Sequence, residues 1–592
     1  MSALKMAPVD AVVIGLGWTG SIMSRELTEA GLRVVALERG EMRNTSPDFA
    51  YPRMADELTY GIRYKLFQNL AKESLTIRHS PGDQAVPYRR LGAFLPGNGV
   101  GGAGVHWNGQ HWRMQPYDLQ LRTNTLERHG ANAIPEGMTI QDWGVTYEEL
   151  EPYFDHFEKV CGTAGQAGNL RGQPVAGGNP FEAPRQNPYP TAPMKTLYAG
   201  ELMTQAGKEL GLSAFPCPAA NCTQPYTNPY GVQMGPCNYC GYCERFGCFN
   251  YSKASPQTTI LPVLLTQPNF ELRTQSKVIR INTDSTGRKA TGVTYIDDQG
   301  REVEQPADLV ILSAFQLHNV RLLLLSNIGQ PYDPISGTGL VGKNYAYQTN
   351  SAVTLFFDKD KHFNPFVGAG AGFTCMDDFN NEAFFSKGNG FVGGAYLSSS
   401  NSGGRPIQQM VLPDTAPAWG SGWKQAIKDN YNHNMGLHAE GSSMAYRDCY
   451  LDLDPSYTDE HGLPMLRMTF DWKQNDILQA QFMVQRMEEM ARVLNPGYSV
   501  SGGPRPGSRF DWRNYQSTHT TGGAIMGAHS GESVVNKYLQ SWDVPNLFVL
   551  GASAFPQNMA YNPTGIVGAL AYWAANAIRQ QYLKNPGPLV AA

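Results

Sequence analysis

Residues 10–40 read DAVVIGLGWTGSIMSRELTEAGLRVVALERG, and this stretch restricts the possible folds more than any other in the 592-residue chain. DAVVIGLG is a short apolar β-rich run, SIMSRELTEAG has amphipathic helical spacing and stops at Gly31, and LRVVALERG is a second β-rich run. Gly15, Gly17 and Gly20 lie between the first strand and the helix, and Glu38 ends the second strand eighteen residues after Gly20. Glycines there allow a tight turn and let a pyrophosphate approach the backbone at a helix N-terminus. Glu38 can accept hydrogen bonds from ribose hydroxyls, which a purely structural glycine turn would not require. The unit predicts an α/β fold with a dinucleotide-binding domain, flanked at the contact by Trp18, Thr19 and Arg39. The motif alone leaves FAD and NAD open.

The length allows two or more domains with large cores. Only 17% of residues are charged, the net charge is −4 and no basic block occurs, so nucleic acid is not expected as a partner. The 63 glycines and 40 prolines suggest a loop-rich enzyme with wide cofactor contacts. No run of eighteen apolar residues is present, and MSALKMAPVD lacks the regions of a signal peptide. The chain is therefore expected neither to span a membrane nor to carry its own export signal.

Further along, the glycine-rich stretch 92–109 reads as too flexible for a regular element, and 162–235 is polar and Pro-rich. FELRTQSKVIRINTD, ATGVTYIDDQG and ADLVILSAF read as strands, and VRLLLLSNIG as an apolar helix. The region 345–515 has strand-like patches separated by turns such as SSSNSGGRP and SGGPRPG, with a helix near 474–494. After 515 come the strand NLFVLGAS, a loop and the helix GIVGALAYWAANAIRQQYL, and no internal repeat is apparent.

Four of the nine cysteines, Cys237, Cys240, Cys243 and Cys248, fall within CNYCGYCERFGC. Three readings compete. Disulfides need an oxidising compartment. A structural zinc site wants two separated pairs, and Cys243 with Cys248 makes an awkward second pair. An iron–sulfur centre accepts the CxxCxxC start readily. Cys217 and Cys222 could pair or stay free, while Cys161, Cys375 and Cys449 read as ordinary buried thiols.

GNGVGGAGVHWNG (97–109), SAFQLHNVRLLLLSNIG (313–329) and NLFVLGASAFPQNMAYNPTGIVGALAYWAANAI (546–578) together resemble the glucose–methanol–choline family of flavoenzymes. AFLPGNGVGGAG, NPYGVQMGPCNYCGYC, LDLDP and YLKNPGPLV carry the resemblance nearly end to end. Within the family it is nearest the large flavoprotein subunits of membrane-bound gluconate 2-dehydrogenases, with sorbitol and fructose dehydrogenase large subunits as relatives. The resemblance implies FAD and a Rossmann-like FAD-binding domain (1–135, 255–340 and 516–592), interleaved with a substrate domain (136–210 and 341–515) on a largely antiparallel sheet. Residues 211–254 would form a cysteine-rich iron–sulfur loop.

By the same resemblance His519, in THTTGGAIMG, is the base that takes the hydroxyl proton, a task suited to an imidazole near neutrality. Asn562, in NPTG, is its partner. His106, in AGVHW, would attach covalently to the flavin 8α carbon or pack beside it. Gly101, Gly102, Asn108, Gly109, Val278, Ala314, Ala552 and Thr564 join the FAD contacts, together with Asn562. Gly551 stands where the family usually has an aspartate, which leaves open what meets the pyrophosphate there. His529, His318 and His111 receive no role. In cluster-bearing relatives three cysteines hold a 3Fe–4S centre; matching backwards implicates Cys248, Cys243 and Cys237, with Cys240 extra and the gaps off by one.

A one-electron centre beside a two-electron flavin points to a dehydrogenase and not an oxidase. The chain has no CxxCH haem site. The expected partners are a multihaem cytochrome c subunit and a small subunit bearing the export signal, at the periplasmic face of the inner membrane, with electrons passing on to quinone. The expected substrate is a sugar acid or polyol, foremost D-gluconate oxidised to 2-keto-D-gluconate. Sorbitol, 2-keto-gluconate and fructose are the rivals, and a sugar oxidase with a structural zinc site is the alternative class.

Overall fold

The run of four fully apolar residues at 11–14 can bury itself only between neighbouring strands, and it does so. Val9–Ile14 pairs in parallel with Val34–Leu37 on one side and with the second half of Glu302–Leu312 on the other. Ala11 to Ile14 are at most 2% exposed. The computed structural model describes residues 4–49, 66–90, 93–400 and 411–591; Gly92 and the 401–406 part of the turn SSSNSGGRP lie outside them.

Phe270–Arg273 and Leu547–Val549 extend the parallel part of this sheet. Beyond the parallel strands, Ala290–Ile296 and Lys277–Thr283 form an antiparallel extension against the first half of Glu302–Leu312. FELRTQSKVIRINTD is thus two strands, broken where Gln275 takes a positive φ of 51°. The helix Trp18–Glu29 covers the sheet and packs on Thr564–Ala577, so the first and last segments of the chain close one layer.

A second, six-stranded sheet is antiparallel throughout, in the spatial order Tyr498–Gly502, Thr349–Phe356, Asn434–Gly441, Ala395–Ser400, Thr374–Met376, Ala214–Pro216. The helix expected near 474–494 spans Gln474–Leu494 and lays Met483, Met487, Met490 and Leu494 on this sheet. The fold is therefore the expected α/β arrangement, a dinucleotide-type sheet interleaved with an antiparallel one. Two local readings change. The glycine-rich stretch contains a helical turn, Ala103–His106, and the polar Pro-rich region contains the helix Tyr198–Leu210. Among the described residues no helix is long and apolar enough to cross a membrane.

Candidate active site

Ser313 and the turn after the first strand are packed so tightly that only glycine fits. A Cβ at Gly15 would lie 2.8 Å from the Ser313 carbonyl oxygen, with φ at +87°, and one at Gly20 would lie 2.0 Å from the Gly15 oxygen. A Cβ at Gly17 would meet nothing nearer than the Gly101 oxygen at 3.9 Å, so space remains in front of that backbone. The second glycine-rich loop clasps the first, through Gly101 N–H donating to Leu16 O at 2.7 Å and Val100 N–H to Glu41 O at 3.0 Å. No acidic side chain occupies the first turn of Trp18–Glu29, whose N-terminus faces this space.

These loops open onto a cavity of about 940 Å³. Gly15, Gly17, Trp18, Thr19, Glu38 and Arg39 line it from the first unit. Gly102, His106 and Asn108 line it from the second loop, and Val278 and Ala314 from the sheet. Ala552, Asn562 and Thr564 line it from the C-terminal segment, together with His519. Gly20, Gly101 and Gly109 stand behind this wall. Glu38 is 6% exposed, and its two carboxylate oxygens accept from Leu16 N–H at 3.0 Å and Gly40 N–H at 2.9 Å. Arg39 pairs with Glu73 and lies 2.8 Å from His318 Nε2. Burial opposes ionisation of Glu73, but the charges of Arg39 and Lys277 prevail and hold it at about 2.

The wall suits a flavin dinucleotide. Trp18 Nε1 and His106 Nε2 are buried with no partner among the described residues, as expected where a polar ligand completes the site. A Cβ at Gly551, the position of the missing aspartate, would meet nothing within 4 Å. His106 ends its helical turn with its ring 4.6 Å from that of Phe67, and its carbonyl accepts Arg245 N–H at 2.7 Å. Burial, then the Lys253 charge, pushes its pKa down to about 3, so the imidazole is neutral.

At the other end of the cavity His519 and Asn562 meet, 43 residues apart in sequence. Asn562 Nδ2 lies 3.2 Å from His519 Nε2. His519 Nδ1 bonds to Gln348 Oε1, whose amide is oriented by Nε2 donating to Ala560 O at 2.7 Å. Nδ1 is thereby the protonated nitrogen, and Nε2 keeps its lone pair. Loss of hydration drives the His519 pKa down to about 3, which leaves a neutral base at physiological pH.

Two neighbours were not visible in the sequence reading. Gln348 fixes the tautomer. Glu440, on the central strand Asn434–Gly441, has Oε2 buried without a hydrogen-bond partner among the described residues, 3.8 Å from His519 Nδ1. Burial lifts its carboxyl to about 7, against a hydrogen bond from Tyr396 and with help from the Glu244 charge. The strand alternation of His438 and Glu440 was the available signal, because both point to one face and line the cavity.

The four clustered cysteines stand outside the cavity wall, although the adjoining Glu244 and Arg245 belong to it. Cys243 is buried and the other three are half-buried. Burial, then the neighbouring Cys243 and Cys248, pushes the Cys240 thiol up to about 12, so these side chains feel one another. Yet among the described residues no group of three or more His, Cys, Asp or Glu is gathered so as to hold a metal ion. As placed, the thiols do not form a ligand cage. All nine cysteines are unpaired, Cys217 and Cys222 included; Cys222 Sγ faces Gly162 O at 3.4 Å.

Residues 143–350 and 445–571 match two family models, N- and C-terminal, both described as GMC oxidoreductase. The chain is 55% identical to the gluconate 2-dehydrogenase flavoprotein of Pantoea cypripedii, over 100% of this chain and 96% of that one. It is 30% identical to the 2-methyl-1,2-propanediol dehydrogenase of Mycolicibacterium austroafricanum, over 97% and 95% respectively. Pyridoxine 4-oxidase from Mesorbium loti shares the fold, with a TM-score of 0.55 and 16% identity over 98% of this chain and 100% of that one.

Proposed function

The chain belongs to the GMC oxidoreductase family and is a flavin-dependent oxidoreductase acting on CH–OH groups, and on that premise we propose that it oxidises a sugar-acid hydroxyl to a ketone, with D-gluconate at C2 as the leading substrate. The observation that carries this reading is the pairing of His519 Nε2 with Asn562 Nδ2 at 3.2 Å on the wall of the dinucleotide cavity. The full-length likeness to the Pantoea gluconate 2-dehydrogenase flavoprotein supports the substrate.

FAD, when bound, supplies the hydride acceptor. His519 Nε2 takes the proton of the reacting hydroxyl, and Asn562 Nδ2 donates to the same oxygen. Gln348 holds the tautomer that leaves Nε2 available. The Glu440 carboxylate favours the positive charge that His519 gains. Gly15, Gly17, Trp18, Thr19, Glu38, Arg39, Gly102, Asn108, Val278, Ala314, Ala552 and Thr564 would hold the cofactor, with Gly20, Gly101 and Gly109 keeping the two loops in place. The neutral, buried His106 imidazole suits covalent attachment to the flavin. The domain division at 135, 255, 340 and 516 belongs to the same proposal.

The spacing and mutual proximity of Cys237, Cys240, Cys243 and Cys248 support an iron–sulfur electron exit to a multihaem cytochrome c subunit. In that reading a small subunit supplies the export signal, and the complex sits at the periplasmic face of the inner membrane. As placed, the thiols do not form a cluster site among the described residues. A dye-reduction screen over gluconate, 2-keto-gluconate, sorbitol, fructose and glucose tests the substrate, and turnover of a neutral polyol without gluconate would overturn it. Iron and acid-labile sulfide in the isolated chain test the electron exit; zinc in their place would refute it.

A further inference from the structure

An asparagine amide has two nearly isosteric orientations with opposite chemistry. With Nδ2 toward His519, Asn562 donates to Nε2 or to a substrate oxygen. Flipped, it presents a carbonyl oxygen to a lone pair and repels both. Since Gln348 already makes Nε2 the acceptor, the donor orientation is needed, and something behind Asn562 must hold it.

The group behind it is Tyr396. This residue is fully buried on the strand Ala395–Ser400. Its hydroxyl oxygen lies 2.7 Å from Asn562 Oδ1 and 2.6 Å from Gln110 Oε1. Its ring is clamped between aromatic neighbours, 4.8 Å from Trp112 and 5.9 Å from Tyr561. Gln110 Oε1 also accepts Trp112 Nε1–H at 3.0 Å, which fixes that amide independently. Burial, then the Glu440 charge, raises the phenol far above its ordinary range, so the hydroxyl remains a donor at every working pH. The single phenolic proton has three acceptors around it: Gln110 Oε1, which Trp112 already serves, the Glu440 carboxylate, and Asn562 Oδ1, the one on the residue facing the catalytic imidazole.

We propose that Tyr396 is a positioning residue for the hydroxyl oxidation: by donating to Asn562 Oδ1 it holds the amide with Nδ2 toward His519 Nε2 and the substrate oxygen. Tyr396 touches neither substrate nor base in this scheme, and the inference rests on the roles given above to His519 and Asn562.

Tyr396→Phe removes the hydroxyl and keeps the ring stack. Its kcat should fall about tenfold, the weight of one well-placed hydrogen bond. KM should change much less, with bound flavin and melting temperature unchanged. The kinetic isotope effect with substrate deuterated at the reacting carbon should rise, which places the loss on the C–H cleavage step. The decisive comparison is a double-mutant cycle, in which adding Tyr396→Phe to Asn562→Ala should cost nothing further. An equal, independent loss in that background, or wild-type kcat in Tyr396→Phe while Asn562→Ala is slow, overturns the positioning role and leaves the reading of Asn562 intact. Wild-type kcat in Asn562→Ala would instead overturn that reading, and the inference with it. If little Tyr396→Phe protein is obtained, single-turnover flavin reduction on the flavin-bearing fraction gives the same comparison.

Discussion

Glu440→Gln separates two explanations of how the rate should depend on pH. His519, held at about 3, stays neutral through the working range and cannot by itself produce an acid limb near neutrality. Glu440 lies at about 7. Below that pH it is neutral; above it the carboxylate sits 3.8 Å from His519 Nδ1 and favours the imidazolium that forms as the substrate proton moves. Activity should therefore rise with pH through about 7. At an effective dielectric near 20, a full charge pair at this distance is worth about 4 kcal/mol. With roughly half the proton transferred in the transition state, about 2 kcal/mol is at stake, on the order of 30-fold in rate. Glu440→Gln keeps the shape and cannot ionise, so kcat/KM at pH 8 should drop by about that factor and the acid limb should disappear. The assay is dye-coupled kcat/KM between pH 5 and 9 on flavin-replete protein. A variant that retained the limb at the same pH would refute the assignment, as would a wild type with no acid limb between about pH 5 and 9.

Other perturbations test different parts of the structure. Gly20→Ala places a Cβ 2.0 Å from the Gly15 carbonyl oxygen, a backbone clash that cannot relax cheaply, so flavin content and melting temperature should both fall; a flavin-replete variant would contradict the tight turn. Gln348→Leu frees the His519 tautomer and should lower kcat at least tenfold with flavin retained, measured by single-turnover reduction. Acid precipitation should leave the flavin on the wild-type chain and release it from His106→Ala; release from both would exclude covalent attachment. Arg113 makes two bonds to Glu158, at 2.7 and 2.8 Å, and a third to Glu151 at 2.9 Å, all within the core. Arg113→Met removes these bonds but leaves Glu158 paired with Arg185 and Glu151 accepting from Gln186 N–H, so it should destabilise in denaturant unfolding by less than the ~3–5 kcal/mol of a fully unpaired buried charge.

The dinucleotide half was legible because its signals are local. Gly15 and Gly20 must be glycine for contacts within a few residues or with one neighbouring strand, and such requirements leave a pattern. His519 and Asn562 were reached by resemblance, since nothing near either residue in sequence marks it as chemical. Gln348, Tyr396 and Glu440 were not legible. Tyr396 and Glu440 lie on strands whose alternation gives a face but not an occupant, and Gln348 sits in the one-residue gap between Ala346–Tyr347 and Thr349–Phe356, so their meaning arises only when these segments and the C-terminal one bring the side chains to one point. The helix Tyr198–Leu210 was missed for a different reason: surrounding prolines and turn residues masked its apolar face, which tertiary packing against the second sheet stabilises.

The cysteine run is best understood through what ties it to the cavity. Lys253 is wholly buried, and its ammonium donates to Trp107 O at 2.6 Å, Cys243 O at 2.7 Å and Phe246 O at 2.7 Å. Arg245 N–H donates to His106 O. The residues beside the flavin wall and the thiol loop are thus stitched together from both sides, with Tyr239, Arg245 and Tyr251 held at φ values of 55°, 67° and 54° that non-glycine residues seldom adopt. Such conformations persist only where the surroundings over-determine them. A loop serving merely to connect two elements would relax them, so the strain and the buried ammonium together mark this loop as one whose position relative to His106 matters.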